Sequence, residues 1–509
     1  MKSIATFLLS TLTCLTMSLS ATAAEKAAIM DHAVVLDSAG RLQPWTSYDT
    51  VIRQSMNFIK NCPTHPTRHG DDPWFLVTSK LTKECGFYLN QNNQGSNAFY
   101  AVETLRRYYA FTGDDSAFIP VRLLLDRVLL YNTPANWAWA NVPRTQDNTP
   151  DGAYADDYSE PDKISMVGSA CVRFYKLSGE TKYLDAAIKI AETLKSHLRA
   201  GDAENPPLPF RVELKTGKVL DNYNAFMVAP TVLFDDLVQL GHTQFTAPRD
   251  QCWSWVLTYP MKNNRWSGYY EDVNTDHDNS NQQAPMESAR FMLNRPELTP
   301  NYQELVPALI AYVEGRFGKN KHYGATSICE QDTFMKQMSS HTARYASVVA
   351  RWSALQKDDA LREEARASFA LATYSAYSKF SVGEDARNYT GIEYIQPWFS
   401  DSYFDYLCHI LEGMGELPEM APTDSDHLIA SDSVVHYILY TPGEIEYETF
   451  ETTGTETLRL TFAPTIEADG ELLPSDQWSF GEEHGVSGVL RIHRKGAKSI
   501  RIFDARFKK

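Results

Sequence analysis

The feature that most constrains this fold is a recurring pair of amphipathic helices joined by a short polar turn. In residues 97–130, Phe99, Val102 and Leu105 lie on one helical face, a Thr-Gly-Asp turn follows, and a second apolar helical face begins after it. The same design recurs over 164–198 and 339–374. In each turn Gly or a polar residue ends one helix, and Asp, Ser or Thr is suited to cap the next. Since a lone hairpin cannot bury its apolar face, these hairpins are predicted to stack on one another.

From about residue 425 the apolar period changes from helical to alternating. The segments SVVHYILY, EIEYETFE, ETLRLTFAP, VLRIHRKG and SIRIFDARF are typical of strands. Turn signals stand at Pro442-Gly443, Thr453-Gly454 and Asp469-Gly470. This part of the chain is predicted to form an antiparallel sheet or sandwich packed on the helical body.

The first residues have the pattern of a secretory signal rather than of a folded element. Lys2 is followed by an apolar stretch and by the small residues Ala21-Thr22-Ala23. No later apolar run reaches the ~18 residues that a membrane span needs. The predicted organisation is therefore a signal peptide over 1–23, a helical catalytic domain over 24–424 and a β-sandwich-like appendage over 425–509. We expect a periplasmic or secreted protein.

The charge of the chain restricts its partners. The formal net charge is −16, which argues against nucleic acid or an anionic membrane as a partner. An acidic polysaccharide or oligosaccharide stays possible where Arg or Lys side chains gather locally. The aromatic content is 12%; aromatic rings are suited to stack on sugars, and a densely packed core is the alternative explanation.

The cysteines and histidines indicate no metal site and no cofactor. There is no CxxC, no HExxH and no zinc-ligand spacing in the sequence. Cys62 and Cys85 flank a loop-like segment and are candidates for a disulfide. The remaining four after the signal, which stand among apolar neighbours, are predicted to be buried thiols: Cys171, Cys252, Cys329 and Cys408.

Two segments concentrate the carboxylic acids that glycoside hydrolysis needs. RTQDNTPDGAYADDYSEPDK carries Arg144, Asp157 and Glu160 shortly before a helix. Its alternative interpretation is a solvated turn whose acids favour the helix amino terminus. CEQDTFMKQMSSH carries Glu330 and Asp332 among apolar neighbours, where desolvation raises a carboxyl pKa.

The same two segments leave further alternatives open. Asp332 is either a catalytic acid or the cap of a helix that begins near Gln331. His341 either orients an acid, binds a sugar hydroxyl or satisfies a hydrogen bond of the core.

The segment YIQPWFSDSYFDY, residues 394–406, interleaves rings with polar groups. Pro397 ends any preceding helix, and a last helix follows. Trp398 and Tyr403 with Asp401 are predicted to form a pocket wall that packs on a sugar. An aromatic plug at the helix entrance is the alternative.

Helical hairpins followed by strands, together with DGAYADDYSEPDK, SICEQDTFMKQMSSH and YIQPWFSDSYFDY, resemble the six-hairpin glycosidase-like superfamily. Within it the chain is most similar to the exported uronide-acting enzymes of glycoside hydrolase family 154. The resemblance implies a mainly α fold, an (α/α)6-type toroid with a C-terminal antiparallel β-sheet domain. It also implies a β-glucuronidase-like hydrolase that releases a uronic acid from acidic plant or algal glycans, by an inverting general acid/base mechanism.

The resulting expectations for the site fall into two sets. The candidate catalytic acids are Asp157, Glu160, Glu330 and Asp332. The candidate substrate-binding residues are Arg144, Tyr223, His341, Trp398, Asp401 and Tyr403, and Arg211 and Arg290 are further possible partners of a uronate carboxylate.

Two rival functions remain open. A polysaccharide lyase, which has a similar toroid and appendage, would use Tyr223, His341 or Tyr403 as base and Asn222 against the carboxylate. A non-catalytic sugar-binding protein is the third hypothesis.

Overall fold

The computed structural model of the chain describes residues 28–29, 32–61, 79–81, 87–89, 94–145, 157–270, 278–377, 387–388, 403–504 and 506. The predicted signal over 1–23, the Cys62–Cys85 pair, Trp398 and Asp401 lie outside these residues. None of the helices within them combines the length and the apolarity that a membrane-spanning helix requires.

Helices dominate the described chain before residue 414. They are α1 (Tyr48–Lys60), α2 (Gln94–Thr112), α3 (Phe118–Leu130), α4 (Pro161–Ser178), α5 (Thr181–Ser196), α6 (Val228–Gln239), α7 (Thr246–Thr258), α8 (Pro260–Asn263), α9 (Gln283–Asn294), α10 (Tyr302–Phe317), α11 (Ser339–Gln356), α12 (Asp359–Thr373) and α13 (Tyr403–Gly413). The three hairpins predicted from the sequence are confirmed as α2–α3, α4–α5 and α11–α12.

The turn chemistry of these hairpins agrees with the prediction. Gly179 ends α4 in the left-handed conformation, with φ of 74°, which glycine adopts without steric cost. Asp358 precedes α12, and its side chain accepts from the backbone N–H groups of Ala360 and Leu361. Local sequence therefore positions the hairpin turns.

Alternate helices pack side by side in a closed series. Helix α2 contacts α4, α4 contacts α6, α6 contacts α9, α9 contacts α11, α11 contacts α13, and α13 contacts α2. Each of the first five also contacts the helix that follows it in the chain, which is α3, α5, α7, α10 and α12 in turn. Helix α1 contacts α13. We call α2, α4, α6, α9, α11 and α13 the inner helices. Because each returns to the same direction after an antiparallel partner, their amino-terminal ends share one side.

Short strands lie between the helices. They are β1 (Ala28–Ile29), β2 (His32–Ala33), β3 (Val35–Leu36), β4 (Leu42–Gln43), β5 (Ser79–Leu81), β6 (Phe87–Leu89), β7 (Tyr158–Ser159), β8 (Arg211–Glu213), β9 (Val219–Asp221), β10 (Asn320–His322), β11 (Ala325–Ser327), β12 (Ala376–Tyr377) and β13 (Arg387–Asn388). In the antiparallel sheet β7–β8–β9, only Glu160 separates the end of β7 from the start of α4.

After α13 the chain forms antiparallel strands. They are β14 (His427–Ser431), β15 (Val435–Thr441), β16 (Glu444–Thr449), β17 (Thr453–Arg459), β18 (Pro464–Ala468), β19 (Glu471–Leu472), β20 (Trp478–Glu483), β21 (Val486–Lys495) and β22 (Ser499–Asp504). One sheet has the order β14-β17-β21-β20 and the other β15-β16-β22-β18-β19. Strands β14 and β15 contact α2, so the predicted sheet region packed on the helices is confirmed.

One predicted turn is wrong. Thr453 and Gly454 begin strand β17 and pair with Lys495 and Arg494. A Cβ atom on Gly454 would lie 2.8 Å from Ser433 Oγ and 3.0 Å from Arg494 Nη2. This glycine therefore permits a close approach of the Arg494 side chain to the strand rather than a reversal of the chain.

Candidate active site

The amino-terminal ends of the inner helices bring polar side chains together. Where α2 meets α4, a Cβ on Gly95 would lie 2.7 Å from the Cβ of Lys163. Ser96, also on α2, has its hydroxyl 3.1 Å from the hydroxyl of Tyr269, which precedes α9. All these groups are buried. We call this region the amino-end cluster.

Glu160 lies at the entrance to α4 and is completely buried. In the β7–β8 register Ser159 faces Val212, which brings the next residue of each strand end, Glu160 and Arg211, into contact. Arg211 Nε donates to Glu160 Oε1 across 3.0 Å, and Lys163 Nζ lies 3.4 Å from Oε2. Burial raises the pKa of the Glu160 carboxyl, with Lys163 and Arg211 acting in the opposite direction.

Lys163 ties α4 to the segment before α9. Its ammonium donates to the backbone carbonyl of Tyr269 and lies 4.1 Å from the centroid of that ring. Asp162 Oδ2 is a third partner at 3.1 Å. Tyr269 has φ of 84°, a left-handed conformation that a tyrosine adopts only where its surroundings hold it.

A second group of side chains lies where α9, α11 and α13 begin. His341 Nδ1 is 2.9 Å from Arg344 Nη1, and His341 Nε2 is 3.4 Å from the hydroxyl of Tyr270. Gln282 Nε2 donates to the same hydroxyl across 3.2 Å. Burial, with Arg344 nearby, lowers the pKa of His341 to about 3, so this imidazole is neutral at physiological pH. We call His341, Tyr270, Gln282 and Arg344 the histidine cluster.

Arg344 connects the histidine cluster to α13. It donates to the carboxylate of Asp405, and both side chains are buried. Despite burial, Arg344 and His409 lower the pKa of Asp405 to about 2. The rings of Tyr269 and Tyr270 contact each other, with their centroids 4.9 Å apart. This contact connects the histidine cluster to the amino-end cluster.

The two acids predicted before α11 lie in different surroundings. Asp332 forms an ion pair with Arg316 of α10, with Oδ1 2.8 Å from Nε, and accepts from the backbone N–H of Ser280. The predicted helix start near Gln331 is wrong, because α11 begins at Ser339. Glu330 is half-buried and raises the pKa of Tyr270 by its charge. Of the two, Glu330 thus lies nearer the histidine cluster.

Arg144 and Asp157 form a loose pair beside the entrance to α4. Arg144 Nη2 is 3.4 Å from Asp157 Oδ1, and the guanidinium lies 5.1 Å from the centroid of the Trp137 ring. The Asp157 side chain keeps 43% of its surface exposed. This acid is therefore accessible, whereas Glu160 is enclosed.

The side chains of Tyr223 and Asn222, the residues suggested for a lyase, are engaged by residues of the loops between helices. The Tyr223 hydroxyl donates to the carbonyl of Arg265 across 3.0 Å. Asn222 accepts from Arg199 across 2.9 Å and donates to the carbonyl of Glu204. Neither side chain contacts the amino-end cluster.

Two further predicted binding groups are placed by the helices. Tyr403 is the first residue of α13. Arg290 lies farther along α9 and is half-buried. It pairs with Glu287 and Glu412 and lies 3.2 Å from His409 Nδ1. A pairing of Arg290 with a substrate carboxylate would require it to leave these partners.

Arg344 and Tyr270 were not recognised from the sequence. Arg344 stands one helical turn after His341 within an apolar stretch. A charged residue on a helical face that is otherwise buried is unusual, and this could have indicated a functional role. Tyr270 stands in a long polar segment of the sequence. No local pattern indicates that this segment approaches α11.

Asp405, Cys408 and His409 offer one ligand atom each within 4.8 Å of one another. Arg344 donates to Asp405, and Arg290 lies beside His409. The two ring nitrogens of His409 already face Asp405 and Glu412. Positive charges at these positions disfavour a metal ion.

The predicted burial of the four thiols is confirmed, since Cys171, Cys252, Cys329 and Cys408 are free and buried.

Comparisons with known proteins identify a shared fold. A cellobiose 2-epimerase from Spirochaeta thermophila aligns with 72% of this chain and 98% of its own, at 10% identity and a TM-score of 0.52. A D-mannose isomerase aligns with 72% and 97%, at 9% identity and a TM-score of 0.53. A family 76 glycoside hydrolase from a bovine Bacteroides thetaiotaomicron strain aligns with 74% and 78%, at 12% identity and a TM-score of 0.50. No family model and no curated protein sequence matches the chain.

Proposed function

We infer that this protein is a carbohydrate-active enzyme built on an (α/α)6 toroid of the six-hairpin glycosidase-like superfamily. The closed series of inner helices and the folds shared with sugar-processing enzymes support this proposal. A toroid places loops and helix ends around one mouth, and the amino-end cluster and the histidine cluster both lie at that side of the inner helices. The chain over 24–424 would form the catalytic domain and residues 425–509 the appendage.

The reaction that we propose is hydrolysis of a glycosidic bond that releases a uronic acid. The observation that carries it is Glu160: a completely buried carboxyl whose pKa is raised by burial. A general acid must hold its proton at working pH and deliver it to the leaving oxygen. Lys163 and Arg211, which contact this carboxyl, would stabilise the carboxylate left after proton transfer.

The second carboxylate of the mechanism is proposed to be Glu330, with Asp157 as the alternative. Glu330 approaches the inner helices from the segment before α11, whereas Glu160 approaches from the segment before α4. Two carboxylates on opposite sides of a substrate suit inversion, in which the base activates water on the face away from the leaving group. Asp332, held by Arg316, is the weakest of the four candidate acids.

A uronate is the proposed substrate because two partly exposed guanidinium groups lie at the entrance to α4. Arg144 and Arg211 each keep 16% of the side-chain surface exposed, in a chain of net charge −16. Guanidinium groups bind carboxylates through paired hydrogen bonds. Trp398, Asp401 and Tyr403 are kept as proposed sugar-binding residues, and export, based on the signal-like residues 1–23, would give access to acidic plant or algal glycans.

A second candidate, a polysaccharide lyase, is favoured by the neighbouring Tyr270 and His341. Their polar atoms are 3.4 Å apart, and tyrosine and histidine are the usual acid and base of proton abstraction next to a carboxylate. A lyase would leave an unsaturated uronate.

One incubation separates these functions. The protein is incubated with glucuronate-terminated oligosaccharides, and the products are examined by mass spectrometry and ultraviolet absorbance. Release of free glucuronic acid with uptake of one water supports the hydrolase. An ultraviolet-absorbing unsaturated product identifies a lyase instead, and an isomer of unchanged mass identifies an epimerase or isomerase.

A further inference from the structure

The five N–H groups of Arg344 are all engaged. The guanidinium is completely buried and has no acceptor atom, so every contact that it makes is a donation. Its acceptors are Glu287 Oε1 at 3.1 Å from Nε, Gln282 Oε1 at 3.3 Å and His341 Nδ1 at 2.9 Å from Nη1, Tyr100 Oη at 3.2 Å from Nη2, and Asp405 Oδ2, also from Nη2.

This arrangement determines the tautomer of His341. Because Arg344 donates to Nδ1, that nitrogen must carry the lone pair. A neutral imidazole then holds its one proton on Nε2. Burial, together with the charges of Arg344 and His409, disfavours a second proton on the ring, and Asp405 favours one. The net effect lowers the pKa of His341 to about 3. His341 is therefore a donor from Nε2.

Gln282 is oriented in the same way. Its Oε1 accepts from Arg344, so its Nε2 is the atom that points to Tyr270. The amide and the imidazole thus both direct an N–H group at the hydroxyl oxygen of Tyr270, at 3.2 Å and 3.4 Å.

The hydroxyl proton of Tyr270 meets no acceptor among the side chains that the structure describes. Among the described residues its oxygen contacts only Gln282 and His341, and both act as donors. Burial and the charge of Glu330 raise the pKa of Tyr270, so the phenol keeps its proton at physiological pH. A buried hydroxyl with an unused proton is costly unless a partner accepts it.

We propose that Tyr270 is a substrate-binding residue whose O–H donates to an acceptor oxygen of the bound sugar, and that Arg344 is the positioning residue that leaves this proton free. Arg344 acts through His341 and Gln282 by holding both as donors to Tyr270. His341 accordingly orients Tyr270 and does not abstract a proton. The proposal deepens and rests on the proposed sugar-processing function, since it names a residue that binds the substrate of that site.

The tautomer of His341 tests the first half without any substrate. The chain has 13 histidines, so the His341 signal in spectra of ¹⁵N-histidine-labelled protein is identified by its loss in His341→Gln. Long-range ¹H–¹⁵N correlation is expected to show the neutral Nε2–H form, unchanged from pH 8 to pH 5. An Nδ1–H form, or protonation of the ring within that range, overturns the proposal.

Turnover of 4-nitrophenyl β-glucuronide tests the second half. Tyr270→Phe keeps the ring and removes the hydroxyl, so kcat/KM is expected to fall about tenfold or more. Tyr345→Phe is the matched control, because that buried tyrosine on α11 donates to Glu314 of α10 instead. It should keep the wild-type kcat/KM.

The outcomes separate the two proposals. Equal kcat/KM for Tyr270→Phe, Tyr345→Phe and wild type overturns the role of Tyr270. Failure of the wild-type protein to release 4-nitrophenol argues against the uronidase function, while the His341 tautomer still decides whether Arg344 sets the donor arrangement.

Discussion

Lys163 Nζ lies 3.4 Å from the carboxylate of Glu160 at the entrance to α4, and neither side chain has any exposed surface. Each also has a second partner of opposite charge: Asp162 for Lys163 and Arg211 for Glu160. A buried charge is stable only when it is paired. The Glu160 carboxyl is therefore enclosed, and Lys163 and Arg211 stabilise its negative charge when it loses its proton.

Glu160→Gln should abolish most of the activity while leaving the protein folded. Loss of a general acid typically lowers turnover by about 100-fold or more. The fold should survive, because Lys163 keeps Asp162 and Arg211 keeps Asp221. Turnover of an aryl glucuronide and the melting temperature are the measurements. In the wild type, activity should fall as pH rises through the raised pKa of Glu160.

Asp332→Asn is the matched control for that experiment. It removes another candidate acid, which lies before α11 and whose partner, Arg316, is 43% exposed, so stability should change by no more than about 1 kcal/mol. Wild-type turnover in Glu160→Gln, or a large loss in Asp332→Asn, would reverse the order of the two acids.

Asp405→Asn should destabilise the protein by about 1–3 kcal/mol, because it removes one of the two carboxylates that Arg344 pairs with and leaves only Glu287. The wild-type pair should also weaken in acid. The pKa of Asp405 is lowered from 3.8 to about 2, so its contribution is complete above pH 3.8 and is lost as pH falls toward 2. Urea unfolding from pH 5 to pH 3 measures this loss.

Asp49→Asn serves as the comparison for Asp405→Asn. Asp49 pairs with Arg53 on the surface of α1, where such pairs contribute about 0.3–0.5 kcal/mol. A similar free energy of unfolding for both variants would contradict the importance of the Arg344–Asp405 pair.

Tyr440→Phe should weaken the contact between α2 and the sheet region. The Tyr440 hydroxyl donates to the carbonyl of Ala110 and accepts from the N–H of Leu428 across 3.0 Å. Removing it leaves both backbone groups without this partner, at a cost of about 1–3 kcal/mol. Tyr437→Phe, at an exposed position of the same strand, should change the free energy of unfolding by less than about 0.5 kcal/mol. Chemical denaturation compares the two, and equal stabilities would show that this contact is dispensable.

Gly95→Ala should reduce both stability and activity. The new methyl group would lie 2.7 Å from the Cβ and 2.9 Å from the backbone oxygen of Lys163, so α2 and α4 would have to separate next to Glu160. Gly315→Ala, on the exposed surface of α10 with no atom within 4 Å, should instead stabilise the helix by about 0.5–1 kcal/mol. Melting temperature and turnover are recorded for both, and unchanged turnover in Gly95→Ala would argue against close packing at this helix end.

Much of the architecture was predictable because it depends on nearby residues. The spacing of Phe99, Val102 and Leu105 and the position of Gly179 are local properties, and they predicted helices and turns that the structure contains. Alternation in the last part of the chain likewise predicted β15, β16, β17, β21 and β22. Strands β14, β18, β19 and β20 escaped prediction, since short segments acquire their conformation from neighbours distant in sequence.

For the candidate active site, too, some features were predictable from the sequence and others were not. Sequence alone determined that Glu160 stands just before a helix and that His341 stands in the first turn of one. Glu330 was expected beside a helix start near Gln331, whereas α11 begins at Ser339. Which side chain each of them meets was decided by tertiary structure: Arg211 reaches Glu160 from a strand 51 residues away, and Arg344 reaches Asp405 across 61 residues. The ion pair between Asp332 and Arg316 likewise depends on how the segment before α11 packs against α10. A carboxyl pKa and a histidine tautomer depend on burial and on the nearest charge or donor, and these exist only after distant helices have packed together.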